Sequence, residues 1–128
     1  VEDELVTLAR RAQARAYSPY SRYRVGAAIE GIDGQRFAGC NVENASYGLT
    51  ICAERVAAGA AVAAGVRQFR RVAIVTDSDP PAPPCGACRQ FLREFGPDLV
   101  VDSVGPQSHR RWSLGELLPD AFGSELLA

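Results

Sequence analysis

Three cysteines and a glutamate, gathered in two short segments, carry the chemistry of this chain. Cys52-Ala53-Glu54 comes first, and Pro84-Cys85-Gly86-Ala87-Cys88 follows it. Thiolates and carboxylates are zinc donors; a structural zinc site has four protein ligands, whereas a catalytic one keeps a position open for water or substrate. No fourth ligand stands close by in the sequence, so the pattern points to metal-activated water. Cys85 and Cys88 are three apart at a helix start and so share a face. Cys52 opens a second helix. Unpaired N–H groups and the helix dipole at both starts favour the thiolate, which is the ligand form. Glu54 lies about 200° around an ideal helix from Cys52. It is therefore placed to flank the open position and take the proton of the water rather than to bind the metal. Three thiolates overcompensate a divalent ion, and Arg55 is the candidate for drawing charge off a sulfur. The closed alternative, a structural zinc knuckle, would need Cys40 or His109 as fourth ligand.

The elements that must position these groups follow from periodicity. Residues 3–16 read as an opening helix, with Leu5, Leu8, Ala9 and Ala12 at helical spacing, broken by Ser18-Pro19-Tyr20-Ser21. Val25 to Ile29 and Gln35 to Cys40 are predicted strands joined by Gly31-Ile32-Asp33-Gly34. Asn41 to Thr50 reads as a loop. An Ala-rich helix runs from Cys52 to about Ala64 and stops at Gly65. Val72 to Val75 is a buried strand, and Pro80, Pro81, Pro83 and Pro84 deliver the chain extended into a helix over about Gly86 to Glu94. Leu99 to Val104 is another buried strand. Arg110 to Leu114 is the last strand, followed by a helical turn through Leu117. Strands alternating with helices indicate an α/β layered domain.

Composition narrows the function classes. The 128 residues make one domain with 47% apolar content and no run long enough to span a bilayer. Net charge is −1, and all 14 basic residues are Arg, in scattered pairs (Arg10-Arg11, Arg70-Arg71, Arg110-Arg111) that read as solvated faces. A nucleic-acid binder would show a basic stripe. No secretory signal opens the sequence, so Cys52, Cys85 and Cys88 are expected to form a metal site in a reducing cytoplasm rather than disulfides. His109 is expected in an exposed turn, and Cys40 as a small buried free thiol.

The sequence closely resembles the small homotetrameric cytidine deaminases over nearly its whole length. The cysteine form of the zinc-deaminase signature is present. Ser18-Pro19-Tyr20-Ser21, Val25-Gly26-Ala27-Ala28, Gly39-Cys40-Asn41-Val42-Glu43-Asn44-Ala45, Cys52-Ala53-Glu54-Arg55, Pro84-Cys85-Gly86-Ala87-Cys88-Arg89-Gln90 and Leu117-Leu118-Pro119-Asp120-Ala121-Phe122 also match. The resemblance implies a single domain over residues 1–128, with a three-layer α/β/α fold and a mixed five-stranded sheet. It also implies one zinc per subunit on Cys52, Cys85 and Cys88, Glu54 as the proton shuttle, and hydrolysis of cytidine and 2′-deoxycytidine in pyrimidine salvage. Asn41 and Glu43 are implied to hold the ribose 3′-hydroxyl, Tyr23 to face the pyrimidine where the family has Phe, and Ala53 N–H to receive the pyrimidine O2. The backbone near Pro84 would read the exocyclic amine. Phe122 would stack on the base from a neighbouring subunit of a homotetramer, with Tyr47 at the interface. Pro83 stands where Ser is common, and Asp120 where Gly is frequent. A blasticidin-type aminonucleoside deaminase shares the metal motifs, but the Asn41-Val42-Glu43-Asn44 segment favours cytidine. A polynucleotide-editing deaminase would carry His in place of Cys52. A non-catalytic zinc-stabilised binding module is the rival from a different class.

Overall fold

The computed structural model describes residues 2–127. In chain order it contains helix α1 (Glu4–Gln13), strands β1 (Gly26–Gly31) and β2 (Arg36–Cys40), helix α2 (Ala53–Ala63) and strand β3 (Phe69–Val75). Helix α3 (Gly86–Arg93), strands β4 (Val100–Val104) and β5 (His109–Ser113) and helix α4 (Leu114–Leu117) follow. The strands form one five-stranded sheet in the order β2-β1-β3-β4-β5. Only β3 and β4 run parallel, so the sheet is mixed, as expected.

Strand direction explains why the site can form. β1 is antiparallel to both β2 and β3, and its Gly26 is in register with Cys40 on one side and Val75 on the other. Hence β2 and β3 point the same way and end level with each other. The chain leaves those two carboxyl ends to begin α2 and α3, so both helix N-termini lie at the same edge of the sheet. That edge is where open α/β sheets build their ligand sites.

The alternating residues of β1 and β3 divide the core. Ala27, Ile29, Val72 and Ile74 pack with Ala57, Ala58 and Ala61 of α2 and Leu92 of α3. Ala28, Ala73 and Val75 pack on the other face with Leu5, Val6 and Ala9 of α1. Each fully buried Leu or Ile contributes roughly 1.5–3 kcal/mol. Two glycines let the layers close. A Cβ on Gly26 would lie 2.0 Å from Ala9 O, and one on Gly39 would lie 2.5 Å from Ala57 N.

Several boundaries differ from expectation. The opening helix ends at Gln13 rather than residue 16, because Arg15 and Ala16 N–H bond carbonyls only three residues back, at 2.9 and 3.1 Å. Its start is capped by Asp3, which accepts from Val6 N–H at 3.0 Å. The third strand begins three residues earlier than expected, at Phe69. The loop over 41–50 contains a 3-10 turn at Tyr47–Leu49 and is clamped by paired bonds between Val42 and Ile51, both 2.9 Å.

His109 is not in a turn. It opens β5, and its Nε2 lies 2.9 Å from a carboxylate oxygen of Asp102, a residue buried completely on β4. Nor are the arginine pairs all solvated faces. Arg71 Nε donates to Asp102 at 2.7 Å and its Nη2 to the capping Asp3 at 2.6 Å, tying the start of α1 to the sheet. Arg111 donates to both oxygens of Asp102, at 2.7 and 3.1 Å. Burial pushes Asp102 up, but the bonds from Arg111, Arg71 and His109 outweigh it and hold the carboxyl at about 2.

Candidate metal centre and pocket

Each thiol reaches the site from a helix start. Cys52 is the N-cap of α2 and Cys85 the N-cap of α3, while Cys88 lies buried in the first turn of α3. Their three sulfurs lie within 4.8 Å of one another, and Cys52 and Cys85 are 3.8 Å apart. Two thiolates on a tetrahedral zinc, at a Zn–S bond of about 2.3 Å, stand roughly 3.8 Å apart. The donor set therefore fits the ion in type and in spacing. Cys40 and His109, the two candidates for closing the site, lie elsewhere. Cys40 Sγ faces the carbonyl of Arg15 at 3.5 Å, and His109 is held by Asp102.

The approach to Cys85 is braced from behind. Ser103 Oγ on β4 donates to Ala82 O at 2.7 Å. Arg89 donates from Nε to Pro84 O at 2.7 Å and from Nη1 to Leu117 O at 2.8 Å, locking the proline segment to α4. Arg89 thus takes part of the acceptor capacity of Pro84, the backbone expected to read an exocyclic amine. Ser103 was invisible as a site residue in the sequence, because its partner lies 21 positions away.

The charges favour a cation. Cys52 is held down at about 5, first by the hydrogen bond from Cys88, against burial and with help from Arg55. Cys88, which keeps the shared proton and is buried, is pushed up. Arg55 Nη2 lies 3.6 Å from Cys52 Sγ, as the charge-drawing role requires, and its buried Nε has no partner. Glu54 is almost completely buried, and burial raises it to about 7; its own backbone N–H and Arg55 oppose the rise, while the Cys52 thiolate adds to it. A cation at the sulfurs would favour its ionised form.

The mouth of the site is a cavity of about 290 Å³. Glu54, Cys52, Cys85 and Ala53 line it together with Tyr23, Asn41, Glu43 and Ser21. Ala53 N–H, the first of α2, has no intrahelical partner and is available to a ligand. Tyr23 disposes of the hydroxyl that Phe would lack by pairing with Ser78 Oγ at 2.8 Å. Asn41 is buried, accepts from Val25 N–H at 3.0 Å and donates to Tyr23 O at 2.8 Å, so its amide braces the segment that leads from Tyr23 into β1. Glu43 is held by the Tyr20–Ser21 segment.

Two expected residues lie outside this cavity. Tyr47 is 76% exposed and packs edge-on against Tyr20, with ring centroids 6.1 Å apart. Phe122 is 55% exposed in a tail fastened to α3 by Gln90 Nε2, which donates to Phe122 O at 3.0 Å. Asp120 takes the left-handed conformation, φ 52°, at the position where glycine was the expected residue.

Residues 1–103 match the family model described as the cytidine and deoxycytidylate deaminase zinc-binding region. A cytidine deaminase of Sporosarcina psychrophila is 41% identical over 98% of this chain and 94% of its own length. One from Halalkalibacterium halodurans is 46% identical over 94% of this chain and 93% of its own length. The crystal structure of a cytidine deaminase from Burkholderia pseudomallei superposes with a TM-score of 0.88 and 51% identity, covering 92% of this chain and 96% of that one.

Proposed function

Because this chain belongs to the cytidine and deoxycytidylate deaminase family, we propose that residues 1–128 act as a single domain that hydrolyses cytidine and 2′-deoxycytidine. The products are uridine or 2′-deoxyuridine and ammonia. The observation that carries this reading is a buried carboxylate, Glu54, lining one cavity with Cys52 and Cys85 of the three-sulfur group.

Zinc, held by Cys52, Cys85 and Cys88, would supply Lewis-acid activation of a water beside the open position. Glu54 accepts the proton that this water gives up and delivers it to the pyrimidine N3. Water oxygen bonds to C4, and the C4–N bond then breaks. Glu54 then takes the proton of the hydroxyl now on C4 and passes it to the departing amine, which leaves as ammonia, so that the C4 carbonyl of the product forms and the carboxylate is regenerated. Arg55 steadies the negative charge on Cys52. Ala53 N–H orients the base through O2, and the ring of Tyr23, fixed by Ser78, lies along the cavity wall. Glu43 accepts the 3′-hydroxyl of the sugar, with Asn41 keeping that wall in place.

We place Phe122 and Tyr47 at contacts between subunits of a homotetramer, because both are large exposed aromatics and Tyr47 lies beside Tyr20. None of the described helices is long and apolar enough to cross a membrane. The four cysteines are free thiols, which supports a cytoplasmic setting. The test is incubation of the zinc-loaded protein with cytidine. Uridine and ammonia in equal amounts are expected, and their absence would overturn the assignment.

A further inference from the structure

Glu43 is gripped from one side by three donors. Its Oε1 accepts the N–H groups of Tyr20 and Ser21 at 2.9 and 3.2 Å. Its Oε2 accepts the hydroxyl of Ser21. The oxygen of Ser21 accepts Tyr23 N–H at 3.0 Å in turn. A serine that only made a local turn would need no more than the Tyr23 contact. Here its proton is aimed at the carboxylate instead, so one side chain links Tyr23 on the cavity wall to Glu43 beside it.

An ionised carboxylate offers about four lone-pair sites. Two on Oε1 are filled by backbone and one on Oε2 by Ser21, which leaves a single acceptor position on Oε2. The geometry points to Ser21 as a positioning residue that presents Glu43 to one donating sugar hydroxyl and no second one. The inference rests on the reading of Glu43 as the contact to the 3′-hydroxyl. The same donors keep the carboxyl below its usual range, Ser21 first among them. A hydroxyl can donate to the vacant position, whereas a 3′-phosphate would meet a fixed negative charge. Since one hydroxyl exhausts the group, the 2′-hydroxyl goes unread by Glu43. Ribose and 2′-deoxyribose are equivalent at this contact.

The experiment compares cytidine, 2′-deoxycytidine and 2′,3′-dideoxycytidine as substrates of wild type, Ser21→Ala, Ser21→Thr and Glu43→Ala. Ser21→Ala is expected to raise KM for the first two substrates by roughly tenfold with kcat little changed, the pattern of lost uniform binding. Turnover of the dideoxy substrate should stay at the wild-type level. Ser21→Thr, which restores a hydroxyl, should recover most of the loss. Glu43→Ala should erase the preference for substrates bearing the 3′-hydroxyl. If Glu43→Ala keeps that preference, the ribose reading of Glu43 fails and the role of Ser21 fails with it. If Glu43→Ala erases it while Ser21→Ala keeps it in full, or lowers all three substrates equally, only the role of Ser21 is overturned.

Discussion

Replacing Gly39 by Ala tests whether the contact between β2 and α2 positions the metal centre. A Cβ at residue 39 would stand 2.5 Å from Ala57 N and 2.9 Å from both Ala53 O and Val56 Cβ. Ala53 O and Ala57 N are four residues apart, the partners of a first-turn helical hydrogen bond, and Cys52 and Glu54 flank that turn. Ordinary contact begins near 3.4 Å, so the turn must recede by close to 1 Å. Overpacking of this kind costs about 1–3 kcal/mol. A displacement of about 1 Å at reacting groups costs on the order of 100-fold in rate. The Cys52–Cys85 spacing of 3.8 Å would open with it. Urea unfolding, zinc retention against a chelator, and kcat/KM on cytidine measure the three effects. Gly39→Ala protein with an unchanged unfolding midpoint and unchanged kcat/KM would refute the claim that this close approach sets the site.

Two further outcomes follow from the charges. Asp102 is held at about 2 in the folded protein against an ordinary 3.8. This contribution, roughly 2 kcal/mol, is complete above the unfolded value and is lost as pH falls toward 2. Asp102→Asn should therefore be less stable than wild type at pH 7 and lose less between pH 5 and 2; parallel unfolding curves across that range would contradict this. Arg55→Ala removes the donor 3.6 Å from Cys52, and should release zinc to a chelator more readily and turn over cytidine more slowly. Unchanged zinc retention and activity would rule out the assigned role of Arg55.

The metal centre was legible because its ligands are close in sequence within each segment and both segments open helices. Cys52, Cys85, Cys88 and Glu54 needed only helical geometry and the chemistry of sulfur. The apolar run Val72 to Val75 was equally readable as a buried strand, since both faces of the sheet are covered. What escaped was pairing across distance. Asp102 takes one partner from β3, 31 residues before it, and others seven and nine residues after it. No local pattern marks such a carboxylate as buried, so the bonds that the exposed His109 and Arg111 make to it were hidden. The backbone bonds of Asn41 were hidden for a related reason, since the folded chain brings Tyr23 and Val25 to its amide across 18 and 16 positions. The helix end at Gln13 depended on a tightened last turn that helical spacing alone does not encode.

The central claim is that Glu54 moves protons while three sulfurs hold the metal. It is tested most directly by measuring cytidine turnover and bound zinc together in wild-type and Glu54→Gln protein. Glutamine keeps the shape of the side chain but offers no carboxylate to take a proton. The account predicts equal zinc in both proteins, with turnover of the variant lower by about 10²–10⁴-fold. A Glu54→Gln protein that carries its zinc and converts cytidine at the wild-type rate would contradict it.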